Sequence, residues 1–278
     1  MTTISAAEVN KLRKMTGAGM MDCKAALTES GGDLDKAIEI LRKKGQKVAA
    51  KRADREATEG IIIAKTNPEK NFGALVVVNS ETDFVAKSDD FINYAQAVLD
   101  LAVAQKPATL DELKALNLNG RTVADTLMDL VGKIGEKLEL SGYETVNAPF
   151  VSIYNHLGNK LATIVGLNKS GLPGLEEAAH DVAMQVAAMN PVAIDADDVN
   201  PDIIQKEIEI GKEQARNEGK PEAMLEKIAM GKLNKFYKEN TLLNQEFIKD
   251  NTKNVRTYLQ GIDKELTVTD FRRQKLGD

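Results

Sequence analysis

Apolar residues recur along this chain in two rhythms, one helical and one extended. Over residues 4–45 the rhythm is helical. Ile4 and Val9 bracket Ser5-Ala6-Ala7-Glu8 as a hydrophobic staple around a capping box, and Val9 and Leu12 mark one apolar face. Gly17 and Gly19 break this helix, and Asp22 is placed to cap a second that carries Ala26 and Leu27. Gly31-Gly32 stop the second, and Asp33 starts a third with Leu34, Ala37, Ile38 and Leu41 at helical spacing. From residue 60 the rhythm changes. Residues 60–64 and 72–78 are short apolar runs rich in Ile and Val, which suit a covered pleat, and the turn-rich loop 67–71 joins them as a hairpin. A helix follows with Phe91, Tyr94, Ala95, Val98, Leu99 and Ala102 along one side, and it ends at Pro107. Further helices are predicted at 110–116 and 122–134, then a strand at 138–146.

The same design restarts near Pro149. Strands at 150–154 and 161–165 flank the turn Asn155-His156-Leu157-Gly158-Asn159, and a helix at 175–189 ends at Pro191. Strand, turn, strand, helix and proline thus occur twice, as in a duplicated α+β subdomain. Residues 201–217 and 221–239 read as an antiparallel helical hairpin, with Pro at the first helical position and Glu218-Gly219-Lys220 between the helices. Ile204, Ile208, Gly211 and Ala215 face Leu225, Ile228, Leu233 and Phe236 in that pairing. A helix at 255–260 and a strand at 266–271 follow, with Phe271 packed on the sheet. The expected fold class is α+β, in four parts. A three-helix domain at 1–45 leads through a polar linker helix at 46–59 into a core subdomain at 60–147. A second subdomain at 148–278 carries the hairpin 201–239 as an insertion. Lys47, Lys51, Arg52 and Arg55, mixed with Asp54 and Glu56, make the linker read as a solvated face.

Composition narrows the function classes. A chain of 278 residues has room for two or three modest domains, and 42% hydrophobic with 28% charged residues is ordinary for a soluble globular protein. Aromatics make up 4% and Trp is absent, so the core depends on aliphatic residues. A net charge of -5 argues against nucleic-acid binding. A single Cys excludes an internal disulfide and fits a reducing compartment. No apolar run approaches the about 20 residues of a membrane span, and residues 1–5 lack the basic and apolar regions of a signal peptide. The expectation is a cytoplasmic protein.

Catalytic chemistry is thin. No glycine-rich loop runs into Lys and a hydroxyl residue, so the chain is expected to bind no nucleotide itself. Gly17-Ala18-Gly19 follows no strand, and Gly132-Lys133 and Gly231-Lys232 fall within helical patterns. His156 and His180, with a single Cys, could not supply a zinc site. The expectation is therefore a binding protein that is not an enzyme and holds no cofactor or metal.

The candidate site lies where the apolar run 75–78 meets a helix start. Asn79-Ser80-Glu81-Thr82-Asp83-Phe84-Val85-Ala86 leads into Ser88-Asp89-Asp90, where Ser88 can cap the next helix. Such a junction is where α/β folds tend to present functional groups. Two readings of Phe84 stand at this point: it staples helix to sheet, or it projects as a recognition group.

Thr82-Asp83-Phe84-Val85-Ala86, together with Thr16-Gly17-Ala18-Gly19-Met20-Met21-Asp22-Cys23-Lys24, resembles the signatures of the bacterial elongation factor Ts family. The resemblance implies a partner, elongation factor Tu, from which the chain would accelerate release of GDP. It implies that the turn Thr82, Asp83, Phe84 and Val85 enters the GTPase and dislodges magnesium, with Phe84 as the wedge and Asp83 orienting the turn or bonding to the partner. It implies a domain similar to ubiquitin-associated domains at the amino terminus. There, Met20 and Met21 either plug the small core or dock on the partner. It also implies secondary contacts from the segment holding Phe247 and Ile248, and from Gln185, which stands where some members carry His. A homodimer is left open. Two rival readings are a chaperone-like adaptor that binds protein segments through the Met20-Met21 module, and a hydrolase using Cys23.

Overall fold

A computed structural model describes residues 4–277; residues 1–3, on which the reading of the amino terminus partly rests, lie outside the described residues. Helix α1 (Ala6–Thr16) carries the predicted capping box of Ser5 and Glu8 and ends at Gly17, whose φ of 67° suits glycine. Helix α2 (Met20–Glu29) starts after Gly19, one turn earlier than expected. Asp22 is therefore a first-turn residue and no cap, and it pairs with Lys44. Helix α3 (Leu34–Lys51) is capped by Asp33, which accepts from the Lys36 N–H at 3.1 Å. Val9, Leu12, Cys23, Ala26, Leu27 and Ala37 close a small core among the three.

The next unit comprises β1 (Glu59–Thr66), β2 (Phe72–Ser80), the single turn α4 (Asp83–Ala86), α5 (Asp89–Gln105) and α6 (Leu110–Ala115). A small hairpin, β3 (Asn117–Leu118) with β4 (Arg121–Thr122), then α7 (Val123–Ile134) and β5 (Leu138–Asn147) complete it. The sheet is antiparallel in the order β1-β2-β5. The third helix does not stop near residue 45. It runs on to Lys51 because Gly45 lies against α7: a Cβ there would sit 2.9 Å from the Met128 carbonyl oxygen and 3.3 Å from Gly132 Cα. Two glycines let the helix backbones meet, so α3 is fastened along α7 and is not a free linker.

The second unit contains β6 (Phe150–Asn155), β7 (Leu161–Leu167), α8 (Leu175–Met189), a 3-10 turn at Ala196–Asp198, and the long helices α9 (Pro201–Asn217) and α10 (Glu222–Asn240). It ends with β8 (Glu246–Phe247), β9 (Asp250–Asn254), α11 (Val255–Gln260) and β10 (Val268–Lys275). Its sheet is antiparallel in the order β10-β7-β6. The α9–α10 hairpin forms with Gly211 against Ala229, where an added Cβ would lie 3.1 Å from Ala229 Cα. Pro201 is a first-turn residue as expected, whereas Pro221 is the residue before α10. Helices α5 and α8 end alike, at Lys106 (φ 51°) and Asn190 (φ 44°), each left-handed and each followed by proline.

The two sheets pack face to face. Ile62, Ala64, Leu75 and Val77 of the first share a core with Val151, Ala162 and Ile164 of the second. The alternate residues Ile61, Ile63, Val76 and Val78 face Phe91, Tyr94, Val98 and the α7 side chains. On the far side, Val165 and Leu167 lie against Ala179, Val182 and Val186 of α8. Helices cover both outer faces of the sheet pair, so the inner strands are buried on each side and read as continuous apolar runs. Phe271 is half-buried on this second core. The architecture is α+β.

Candidate partner-docking site at the end of β2

Strand β2 ends at Ser80, and the chain then makes one helical turn before α5. The turn expected at residues 82–85 is a single helical turn: Thr82 adopts an extended conformation (φ -123°, ψ 152°) and caps α4. Its hydroxyl accepts from the Val85 N–H at 3.4 Å. Ala86 is buried, and half-buried Val85 packs on the first core. Phe84 points the other way and is 83% exposed. The stapling role is thus taken by Val85 and Ala86, and Phe84 stands free of the core. Ser88 precedes α5 as expected, but its hydroxyl donates to the Val85 carbonyl at 2.8 Å and does not cap α5.

One turn of helix has too few internal hydrogen bonds to persist alone. Here it is braced from beneath. The Thr82 N–H and hydroxyl donate to the two oxygens of Glu136 at 3.1 and 2.8 Å. The Ser80 hydroxyl donates to the Thr82 carbonyl at 2.9 Å. Glu81 accepts from the Lys137 N–H at 2.6 Å and from Arg52 Nη1 at 2.8 and 2.7 Å. The Lys137 hydrogen bond and the Arg52 contact hold the Glu81 carboxyl below its ordinary value, against the opposing effect of burial. Lys137 Nζ also donates to the Ala53 and Arg55 carbonyls at 3.0 and 2.9 Å. The segment after α3 is therefore not merely a wet face. Asp83 is held low chiefly by its hydrogen bond from Lys87 at 2.6 Å, an exposed pair of small energetic worth.

The other predicted residues separate by exposure. Met20 and Met21 lie in the first turn of α2, not in a loop, and are 53% and 74% exposed, so neither plugs the small core. Cys23 does, with its thiol donating to the Ala18 carbonyl at 3.6 Å. Gln185 is fully buried: it donates to Gln245 and to the Glu246 carbonyl, both at 3.1 Å, and accepts from the Ile248 N–H at 2.9 Å. Phe247 is buried as well, stacked on Tyr258 with ring centroids 4.0 Å apart. These two support the β8–β9 hairpin from inside, whereas Ile248 at its tip is exposed. Lys249 reinforces the hairpin by pairing with Asp181 of α8 at 2.6 Å. Gln185 and Phe247, expected as secondary partner contacts, are thus buried here, and Ile248 is the exposed residue of that segment.

Sequence reasoning passed over Leu157, which is 93% exposed in the β6–β7 turn. That turn lies beside β1: the Asn159 carbonyl accepts from the Ile62 N–H at 2.6 Å, and Lys160 pairs with Glu59 at 2.9 Å. Glu59 is also the register partner of Ser80, so Lys160 lies beside the strand end that leads into α4. A large apolar residue inside a Gly/Asn turn was the available signal. His180 Nδ1 lies 3.2 Å from the Ile153 carbonyl, and His156 Nδ1 lies 2.8 Å from the Tyr154 hydroxyl. No cluster of His, Cys, Asp or Glu suited to a metal ion occurs among the described residues. Among them, too, no helix is long and apolar enough to cross a membrane.

Comparison with known proteins places this geometry in a family. The family model described as elongation factor TS matches residues 81–278, from the braced Glu81 onward. Elongation factor Ts of Cytophaga hutchinsonii is 57% identical over 277 residues, covering 99% of this chain and 100% of the relative. The Amoebophilus asiaticus protein of that name is 55% identical over 274 residues, with 99% of each chain covered. That of Christiangramia forsetii is 53% identical over 277 residues, with 100% of each covered. The chain belongs to the elongation factor Ts family of translation elongation factors.

Proposed function

We propose that this chain binds elongation factor Tu in its GDP form and promotes release of GDP, with Phe84 as the group inserted into the GTPase. One observation carries the reading: Phe84 is 83% exposed on a braced single turn. A large aromatic held away from its own core is matched to a partner's pocket, as interface anchors are. A P-loop GTPase holds nucleotide by a phosphate cradle and magnesium. A wedge that fits only when the magnesium side has shifted binds the nucleotide-free form better, and each ligand then weakens the other reciprocally. In this reading Thr82 and Val85 shape the turn, Asp83 orients it or bonds to the partner, and the chain holds no nucleotide and performs no catalysis. Exposed Met20 and Met21 form a second docking patch and Ile248 a third, while Gln185 and Phe247 set the position of Ile248. Leu157 joins the rim near Phe84.

The proposed organisation has a module similar to ubiquitin-associated domains at 1–45, a connection at 46–59 whose first part is the end of α3, and related subdomains at 60–147 and 148–278, with the hairpin 201–239 in the second. Gel filtration with elongation factor Tu in nucleotide-free buffer tests the reading. A stable complex with the intact chain that is lost with Phe84→Ala is expected. No complex, or an equally stable one with the variant, would refute it.

A further inference from the structure

The chain positions Phe84 with groups far away in sequence. Thr82 uses both of its donors on one carboxylate, that of Glu136, at 3.1 and 2.8 Å. Its hydroxyl hydrogen is thereby directed at Glu136, which turns the oxygen lone pairs toward the Val85 N–H at 3.4 Å. The carboxylate thus fixes the cap that starts α4, one residue before Phe84. Glu136 is itself fixed, because α7 ends at Gly135 in the left-handed conformation (φ 82°) with its N–H on the Val131 carbonyl. The neighbouring residue is held in parallel. Glu81 takes the Lys137 N–H and Arg52 Nη1, and Arg52 stands just past the end of α3. The Phe84 ring itself is exposed, so its direction follows from the backbone of the four-residue α4, which also packs through Val85 and Ala86 and is tied by Ser80, Lys87 and Ser88.

We propose that Glu136 is a positioning residue for the docking turn, with the Arg52–Glu81 pair as its second brace, and that the two keep Phe84 in the orientation the partner requires. The proposal rests on the reading of Phe84 as the inserted group. A turn that is preformed only part of the time binds with an affinity reduced by that fraction, while the bound complex is unchanged. Loss of a positioning residue should therefore raise the concentration of this chain needed for half-maximal GDP release and leave the rate at saturation nearly intact. Loss of Phe84 should lower the saturating rate. A purely structural residue would lower the melting temperature and change neither quantity per folded molecule.

The test is GDP release from elongation factor Tu, titrated with the intact chain, Glu136→Gln, Arg52→Lys and Phe84→Ala, each normalised to its folded fraction. Gln presents one oxygen where Glu presents two, so one of the Thr82 donors loses its acceptor. The expected result for Glu136→Gln is about a tenfold rise in the half-saturating concentration, equivalent to about 1.4 kcal/mol, with a saturating rate within about twofold of the intact chain. Faster hydrogen exchange at the Val85 amide should accompany it. Arg52→Lys keeps the charge but alters the geometry on Glu81, and it should show a smaller rise of the same kind; it carries the test alone if Glu136→Gln does not fold. An unchanged half-saturating concentration in both variants, with Phe84→Ala impaired, overturns the positioning proposal alone. Unimpaired release with Phe84→Ala overturns the underlying reading as well.

Discussion

At the scale of single residues, two phenylalanines mark the division between an exposed ring and a buried one. Phe84 is exposed and Phe247 is buried against Tyr258. Truncating Phe84 to Ala should change stability by no more than about 0.5 kcal/mol, since little is taken out of a packed environment. Phe247→Ala should cost roughly 3–5 kcal/mol and lower the melting temperature clearly. Denaturant unfolding of the two variants checks this contrast, and a Phe84→Ala protein as unstable as Phe247→Ala would contradict it. Glu81 supplies a pH test. Its folded-state value lies below the ordinary 4.5, so its contribution to stability is fully present above 4.5 and fades as pH falls through the folded-state value. The melting-temperature gap between the intact chain and Glu81→Gln should be constant from pH 7 to about pH 5 and close below 4.5. A gap that widens on acidification would contradict the brace. The Thr82-Asp83-Phe84-Val85 motif was legible in the sequence. The burial of Phe247 and Gln185 was not, because a segment of mixed polarity does not reveal which side chains fold inward. Nor were the partners of Arg52, since a short-range charge pattern cannot report a contact with Glu81, on the far side of a hairpin.

At the scale of elements, glycine decides how closely helices approach. Gly45 and Gly132 let α3 and α7 meet backbone to backbone, and Gly231 in α10 faces open space. Gly45→Ala should therefore destabilise by about 1–3 kcal/mol, as overpacking does, even though Ala is the better helix former. Gly231→Ala should stabilise by up to about 1 kcal/mol. Thermal melts of the pair decide the matter, and a stabilised Gly45→Ala protein would mean that the α3–α7 contact is looser than described. Helix periodicity placed nearly every long helix, because an amphipathic face is written into consecutive turns. It did not tell where α3 ends: the polar stretch from residue 46 reads as a separate linker helix from sequence, and only the packing of Gly45 against α7 shows one helix running to Lys51. The β3–β4 and β8–β9 ladders are two to five residues long and carry no readable alternation, so they were missed.

At the scale of the whole molecule, two sheets packed face to face, with helices on their outer sides, form the frame. Exposed apolar residues occur at several places among the described residues, including the first turn of α2, the turn bearing Phe84, the β6–β7 turn with Leu157, and the β8–β9 tip. The doubled strand, turn, strand and helix pattern was legible because the inner strands are covered on both faces and read as unbroken apolar runs. How α3 is joined to α7, and through Arg52 to the turn bearing Phe84, was not legible, since contacts between residues tens of positions apart leave no local pattern. The most direct measurement of the central claim is stopped-flow release of labelled GDP from elongation factor Tu with saturating intact chain and with saturating Phe84→Ala. The account predicts marked acceleration by the intact chain. A central aromatic anchor is worth about 2 kcal/mol, so the variant should lose roughly thirtyfold of it while melting at the same temperature. Release that the intact chain does not accelerate, or that Phe84→Ala accelerates equally, would contradict the account.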